Sequence, residues 1–323
     1  MKKYVIGIDL GGTKIATAIS DLKGEIVEKI VLDTKSYLGE EVVISRIIKT
    51  IDDVIEKSNI NLSDIKAIGI GSPGPLDVKK GIIIETPNLP FKNFDIVSPI
   101  SEKFKVKTYL DNDANVAAIG EFIFGAGVGK ENLIYITVST GIGAGAILNG
   151  KPYRGSTSNA LEMGHIIVEP SSKHMCNCGK YGDVEALSSG TAIAKRAKEA
   201  IDKGEETSLK NLDKVTSKEV YEAYLKGDET SIRILDEAFK YLGIAIGNII
   251  TLFDPEIIVI GGGVSKIGEF FFEEIRKNAK KTTFDFMFDN TKIVPSKLGE
   301  DNNLIGAIAL ALIESKEYEK EFQ

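Results

Sequence analysis

One local pattern occurs twice in this chain, and it constrains the fold more than any other feature. Tyr4–Ile8, Asp9–Thr13 and Lys14–Ala18 match Ile134–Val138, Ser139–Gly143 and Ala144–Leu148, and Gly141 stands where Gly11 does, 130 residues on. Apolar, β-branched runs broken by glycine predict strand, tight turn, strand. Two such units predict two related domains facing each other across a cleft. Unrelated β-hairpins also carry glycine turns, and a chance match is the alternative.

Around the two hairpins the chain reads as mixed strands and helices, an α/β fold. Strands are predicted at Lys3–Ile8, Ile15–Ile19 and Glu25–Leu32. Ile44, Ile47, Ile48, Ile51, Val54 and Ile55 keep helical spacing, which predicts an amphipathic helix over Glu40–Lys57. Ile65–Ile70 and Val106–Leu110 read as further strands, the second feeding Asp111-Asn112-Asp113 and an Ala-rich helix over Ala114–Phe124. Gly125–Gly129 is the expected hinge between domains. Helical patterns fill Gly190–Leu252 and stop at Asp254-Pro255; a buried strand, Glu256–Ile260, then delivers Gly261-Gly262-Gly263. A helix near Gly268–Lys280, a strand at Lys292–Pro295 and a terminal helix from Asn303 complete the pattern.

Composition narrows the class. A chain of 323 residues is long enough for two domains with their own cores. Its net charge of -7 argues against a nucleic-acid surface, which shows a basic patch. The opening apolar run breaks at Asp9 and the glycine pair, too early for a signal peptide, and Leu304–Ile313 is long enough only for a core helix. Cys176 and Cys178 stand too close for a structural disulfide to be expected, which favours metal ligation or a reduced pair and a cytoplasmic location.

Several segments carry potential chemistry. Asp9-Leu10-Gly11-Gly12-Thr13-Lys14 puts a carboxylate, two glycines and a hydroxyl on one turn. Glycines let backbone N–H groups approach phosphate oxygens, and a carboxylate there suits hydrated Mg²⁺. It is not a P-loop, because Thr13 separates Gly12 from Lys14 and the segment enters a strand. Thr140, Gly141 and Gly143 offer a second phosphate cradle, and Gly261, Gly262 and Gly263 a surface flat enough for a nucleotide. Gly69-Ile70-Gly71-Ser72-Pro73-Gly74 fits a dinucleotide fingerprint literally, but Pro73 and Pro75 forbid the helix start that gives it meaning. Asp111–Asn115 resembles the opening of a calcium loop, yet Val116 and Phe122 replace its glycine and glutamate. Asp113, at a strand end beside a helix start, is a candidate general base, with helix capping as the plainer role. His165, Cys176, Cys178 and Asp183 supply a donor set suited to tetrahedral zinc. His174 is a rival fourth ligand.

In this order the segments DLGGTK, GSPGPLD, LDNDANVAAIGE, STGIGAG, EMGH, CNCGKYGDVEALSSGTAI and IIVIGGGVS resemble the ROK family of bacterial sugar kinases and sugar-responsive repressors, from Asp9 to Gly306. The resemblance implies an actin-like (ribonuclease H-like) two-domain ATPase fold with an interdomain cleft. Residues 1–118 with 304–323 would form the smaller domain and 119–303 the larger. It implies ATP and Mg²⁺ as donor and cofactor, a hexose as acceptor with glucose first, and a homodimer or homotetramer. Fructose, mannose or an N-acetylated hexosamine are the other acceptors. By the same resemblance Asp113 is the catalytic base, and Asn88, Asn112, Glu162, His165 and Glu185 contact the sugar. The two glycine turns hold phosphates, with Gly261–Val264 on the adenosine side. His165, Cys176 and Cys178 match three zinc ligands, and Asp183 stands where the family has a third cysteine. Repressors of the family carry a helix-turn-helix before this core; a first core strand at residue 3 predicts the kinase, leaving a nonenzymatic sugar sensor as the alternative.

Overall fold

A computed structural model describes residues 3–86 and 88–316. The chain opens with β1 (Tyr4–Leu10), β2 (Lys14–Asp21), β3 (Ile26–Asp33) and α1 (Glu40–Ser58). Next come β4 (Ile65–Ser72), the short strands β5 (Leu76–Asp77), β6 (Ile82–Glu85) and β7 (Lys92–Asp95), then α2 (Val97–Phe104), β8 (Lys107–Asn112) and α3 (Asp113–Phe124). A second run of strands follows: β9 (Leu133–Val138), β10 (Ile142–Leu148) and β11 (Lys151–Tyr153). The helices α4 (Val184–Ser188), α5 (Gly190–Asp202), α6 (Ser217–Tyr224) and α7 (Glu229–Phe253) lead to β12 (Ile257–Gly261). The chain ends through α8 (Glu269–Lys280), α9 (Asp285–Asn290), β13 (Lys292–Pro295) and α10 (Asn302–Glu314).

The repeat seen in the sequence is a repeat of sheets. One five-stranded sheet runs β3-β2-β1-β4-β8 and the other β11-β10-β9-β12-β13. In each, an antiparallel hairpin extends to a third strand on one side, and two parallel strands add on the other. The turns differ by one residue. The first ladder closes on Leu10↔Ile15 and the second on Val138↔Ile142, so the offset of 130 does not hold through the turn.

Each sheet buries an apolar face. Val43, Ile47, Ile51 and Val54 of α1 are fully buried against the first sheet, with Ile44, Ile48 and Ile55 flanking them. The second sheet packs on α7, whose Ile234, Leu235, Phe239, Leu242 and Ile246 share one cluster with Ile134, Ile136 and Ile260. The helix α10 returns to the first sheet, where Gly7 and Gly69 admit it. A methyl at Gly69 would lie 2.1 Å from the Ala307 carbonyl oxygen and one at Gly71 2.8 Å from a Val116 methyl, so these two glycines of the false fingerprint serve helix packing.

The helix α3 joins the halves. It packs on β9 and β10 of the second sheet and on α10, and residues 118 and 119 fall in its middle. Its crossing with α10 is backbone to backbone, because a methyl on Gly306 would stand 2.1 Å from the Val116 carbonyl oxygen. Beyond α3 the glycine-rich stretch is held rather than loose. Gly125 and Gly127 donate to the Glu121 carbonyl, and Ala126 donates to its carboxylate at 2.7 Å. Among the described residues no helix is long and apolar enough to cross a membrane.

Candidate active site

Asn112, Asp113 and Glu162 line one small cavity with Gly143, Ser158, Asn159 and Leu161. The parallel strand β8 delivers the first two at its end. Behind them the fully buried Asp111 accepts from the Asn112 N–H at 2.8 Å and the Asn115 side chain at 2.9 Å, and pairs with Arg154 at 2.6 Å. Arg154 also reaches Glu314 of α10 at 2.7 Å, so this buried network fixes the strand end that presents Asp113. Asn112 is the N-cap of α3, its Oδ1 accepting from the Ala114 N–H at 2.8 Å. Asp113 shares that donor at 2.8 Å, so the helix start keeps a cap without it. Burial pushes the Asp113 carboxyl up to about 6; the Ala114 N–H opposes this, and the charges of Asp9 and Glu162 add to it.

The cavity wall contains strained backbone. Ser158 and Leu161 have φ of 66° and 62°, left-handed values uncommon outside glycine. Asn159 between them accepts from the Leu76 N–H at 3.1 Å and donates to its carbonyl at 3.2 Å, tying this loop to the short sheet β5-β6-β7. Neither the Asp111–Arg154 pair nor this loop carried a sequence signal, since their partners lie tens of residues away.

The first glycine turn is pinned by Thr34, a buried hydroxyl that donates to the Gly11 carbonyl at 2.6 Å while its N–H donates to Thr13 at 2.7 Å. Thr13 and Lys14 are exposed at its tip. Gly12 meets Asn88 so closely that a methyl there would sit 2.8 Å from the Asn88 Cβ. Asn88 lines a depression with Gly12, Thr13 and Tyr37, apart from the cavity holding Asn112, Asp113 and Glu162. Asp9, at the end of β1, has its carboxyl pushed up to about 6 by burial, against the Asn303 hydrogen bond and the charge of Lys29.

The second glycine turn meets the third glycine segment. A methyl on Gly262, whose φ is 91°, would stand 2.4 Å from the Val138 carbonyl oxygen, which lays Gly261–Gly263 on the end of β9. A cavity of about 440 Å³ opens there, lined by Tyr135, Thr137, Gly261, Gly262, Gly263, Lys266, Ser296 and Asn302 among others. One wall is held by Glu121, which is fully buried in α3 and accepts from Ser296 Oγ at 2.5 Å and from the Lys297 and Leu298 N–H groups at 3.0 and 3.1 Å.

Glu185 and His165 stand behind Gly141. Glu185 Oε2 accepts from the Ile142 N–H at 2.9 Å, and a methyl on Gly141 would come within 2.4 Å of that oxygen. Its other oxygen lies 3.8 Å from Cys176 Sγ. His165 Nδ1 is 3.2 Å from Asp183 Oδ2 and 3.7 Å from Cys176 Sγ, and Cys178 Sγ is 3.5 Å from the same Asp183 oxygen. The four ligand atoms lie within 4.8 Å of one another. Zinc bonded tetrahedrally to such atoms separates them by roughly 3.3–3.8 Å; the spacings of 3.2, 3.5 and 3.7 Å lie near that range, and the 4.8 Å limit of the group requires its widest pairs to draw in around an ion. A turn closed by Cys176 and Gly179 brings both sulfurs to one side, with Gly179 at φ 83°. His174 lies outside the group, its Nδ1 4.0 Å from Glu199. Burial and the Asp183 carboxylate hold the Cys176 thiol well above its ordinary pKa. Burial would likewise raise Asp183, but bonds from Cys176, the Ala186 N–H, His165 and Cys178 outweigh it and hold its carboxyl below the usual range.

The two sheets share one topology, three glycine segments each line a cavity of their own, and Asp113 stands at a strand end beside the second of them. The ROK family description matches residues 5–314. The chain belongs to the ROK family. A glucokinase of Halalkalibacterium halodurans is 34% identical to this ROK protein over 308 residues, 94% of this chain and 93% of that one. A xylose repressor of Caldicellulosiruptor bescii is 31% identical over 311 residues, 95% of this chain and 78% of the repressor. A ROK glucokinase from Streptomyces griseus, solved in complex with glucose and AMPPNP, has a TM-score of 0.77 to this ROK protein at 31% identity, over 95% of this chain and 99% of that one. The fold is the actin-like ATPase fold that the motifs imply.

Proposed function

We propose that this ROK protein transfers the γ-phosphoryl group of ATP to a hexose, glucose at its 6-hydroxyl above others. The observation that carries the reading is the shared cavity of Asn112, Asp113 and Glu162, where a carboxyl displaced to about 6 stands at a strand end between glycine turns. Glucose and a nonhydrolysable ATP analogue in the Streptomyces griseus relative support both substrate classes.

In the proposed mechanism Asp113 orients the attacking hydroxyl and accepts its proton, while Asn112 and Glu162 hold neighbouring hydroxyls. His165 and Glu185 complete the sugar side, and Asn88 is a weaker contact from the far lip. Backbone N–H groups of the Asp9–Lys14 and Thr140–Gly143 turns receive the phosphates, other than those of Gly11 and Ile142, which already bond the Lys14 carbonyl and Glu185, and Gly261–Gly263 receive the adenosine. Asp9, whose charge helps raise the Asp113 carboxyl, is the residue that would hold Mg²⁺ through water, and the ion would supply charge neutralisation for the transferred group. Zinc held by His165, Cys176, Cys178 and Asp183 would brace Glu185 and the sugar side without joining the chemistry. Closure of residues 1–118 with the described part of 304–323 onto 119–303 would exclude water.

Measuring ADP release with glucose, mannose, fructose, N-acetylglucosamine and N-acetylmannosamine at equal concentration tests the proposal. A clear preference for another sugar overturns glucose but keeps the kinase. The similarity to the xylose repressor supports a second reading, a sugar-responsive regulator. Sugar binding without ADP release from any sugar would favour it.

A further inference from the structure

We propose that the Asn302 carboxamide recognises the nucleoside end of the phosphoryl donor, giving one hydrogen bond and accepting one. This rests on the reading of the 440 Å³ cavity as the donor site. Asn302 is the first residue of α10, is 4% exposed, and lines that cavity. Among the described residues neither its Nδ2 nor its Oδ1 completes a hydrogen bond. The Tyr135 hydroxyl interacts with the amide but does not meet hydrogen-bond geometry. Its neighbour Asn303 differs, because that side chain bonds Asp9. A buried amide with both atoms unpaired is costly, and side chains of this kind normally have partners.

The chemistry of the orphaned pair identifies the partner. Phosphate oxygens at neutral pH only accept, so an amide facing the triphosphate would leave Oδ1 unpaired. The ribose hydroxyls and the N6/N7 edge of adenine each set a donor beside an acceptor, which matches a carboxamide. Charge points the same way. Lys266, the cation lining the cavity, stands 2.7 Å from Glu300, which also lines it, so the two charges offset one another and the lining offers no net positive charge to a triphosphate. Gly261 is part of the arrangement, since a methyl there would come within 2.4 Å of the Tyr135 hydroxyl and displace it.

Calorimetric titration of ATP and ADP, with steady-state kinetics, tests this on the parent and on Asn302→Ala. The variant is expected to bind both nucleotides about tenfold more weakly, with kcat within about twofold of the parent and an unchanged KM for sugar, because a nucleoside contact is made equally in ground and transition states. Its melting temperature without nucleotide stays level or rises, since a costly orphan has been removed. ITP and 2′-deoxy-ATP separate the two partners. Discrimination by the parent against ITP that Asn302→Ala lacks assigns the base edge, and the same pattern with 2′-deoxy-ATP assigns the ribose. Unchanged nucleotide affinity in Asn302→Ala, with or without a lower melting temperature, overturns the proposal, because the amide is then structural or satisfied by water. Should Asn302→Ala fail to fold, Asn302→Leu, of similar volume and without polar atoms, decides the same question. A parent that turns over sugar beside an unaffected variant sinks this inference alone; a parent that binds no nucleotide sinks the donor-site reading with it.

Discussion

Replacing Asp113 by asparagine separates chemistry from structure at the centre of the site. The variant keeps the shape and an oxygen for the Ala114 N–H, which Asn112 already caps at 2.8 Å. It removes the base, and general-base loss lowers rates by about 10²–10⁴-fold. It also removes a charge that the fold holds at a disadvantage. A carboxyl moved from 3.8 to about 6 costs on the order of 3 kcal/mol when ionised, a ceiling for a side chain only half-buried. The raised value means that the native state binds the proton more tightly than the unfolded chain does. Asp113 therefore contributes stability that is lost as pH rises from about 3.8 through about 6, and the variant lacks that contribution, while the raised Asp9 carboxyl acts the same way in both proteins. Asp113→Asn should thus melt level with the parent near pH 3.8 and above it at pH 7, while coupled ADP release with glucose collapses. A variant that melts lower at pH 7 and keeps most of its turnover would show Asp113 to be part of the helix start and nothing more.

Other outcomes follow from the same geometry. Below about pH 6 the kcat/KM for sugar should fall roughly tenfold per pH unit as Asp113 takes up its proton, and more steeply where Asp9, also raised to about 6, is protonated with it; a flat profile to pH 5 refutes the assignment. Cys176→Ser should release zinc by elemental analysis of protein prepared with zinc present. Asp183→Cys should hold it more tightly yet lose the cap on the Ala186 N–H, costing about 0.5–2 kcal/mol in thermal unfolding. Gly12→Ala should cost about 1–3 kcal/mol by crowding Asn88, read by urea unfolding. Glu121→Ala should raise the KM for ATP and lower the melting temperature together, because the Ser296–Leu298 wall loses its buried acceptor.

What was legible in the sequence is what local physics dictates. The hairpins follow from alternating β-formers and glycine, α1 from the spacing of Ile47, Ile51 and Val54, and the β12 strand from an unbroken apolar run before Gly261. The helix stretch from Gly190 resolves into α5, α6 and α7, separated where Gly204 and Gly227 take positive φ. The strands β5, β6 and β7 were not legible, because two to four residues each carry no period and pair only across the chain fold. The same holds for function. Asp113 and the thiol cluster announce themselves by residue type and spacing, whereas Asn302, Thr34, Glu121 and the Arg154–Asp111 pair matter only through partners far away in sequence. Asn88 illustrates the converse, since its motif match says nothing of its seat beside Gly12, away from Asp113.

The crossing of α3 and α10 has a mechanical side. With Gly120 and Gly306 in contact, the two helix backbones meet directly, so a change in the angle between them would turn about that spot. It would then serve as a fulcrum. Asp113 lies seven residues from Gly120 and Asn302 four from Gly306, lever arms of roughly 10 and 6 Å at the helical rise. A given angle of swivel would sweep the Asp113 tip of α3 through the longer arc and the Asn302 tip of α10 through the shorter. Jaw motion of this kind would gear the two ends of the cleft together through a point that contains no functional atom, and Gly306→Ala, whose methyl would stand 2.1 Å from the Val116 carbonyl oxygen, would jam it without touching either substrate.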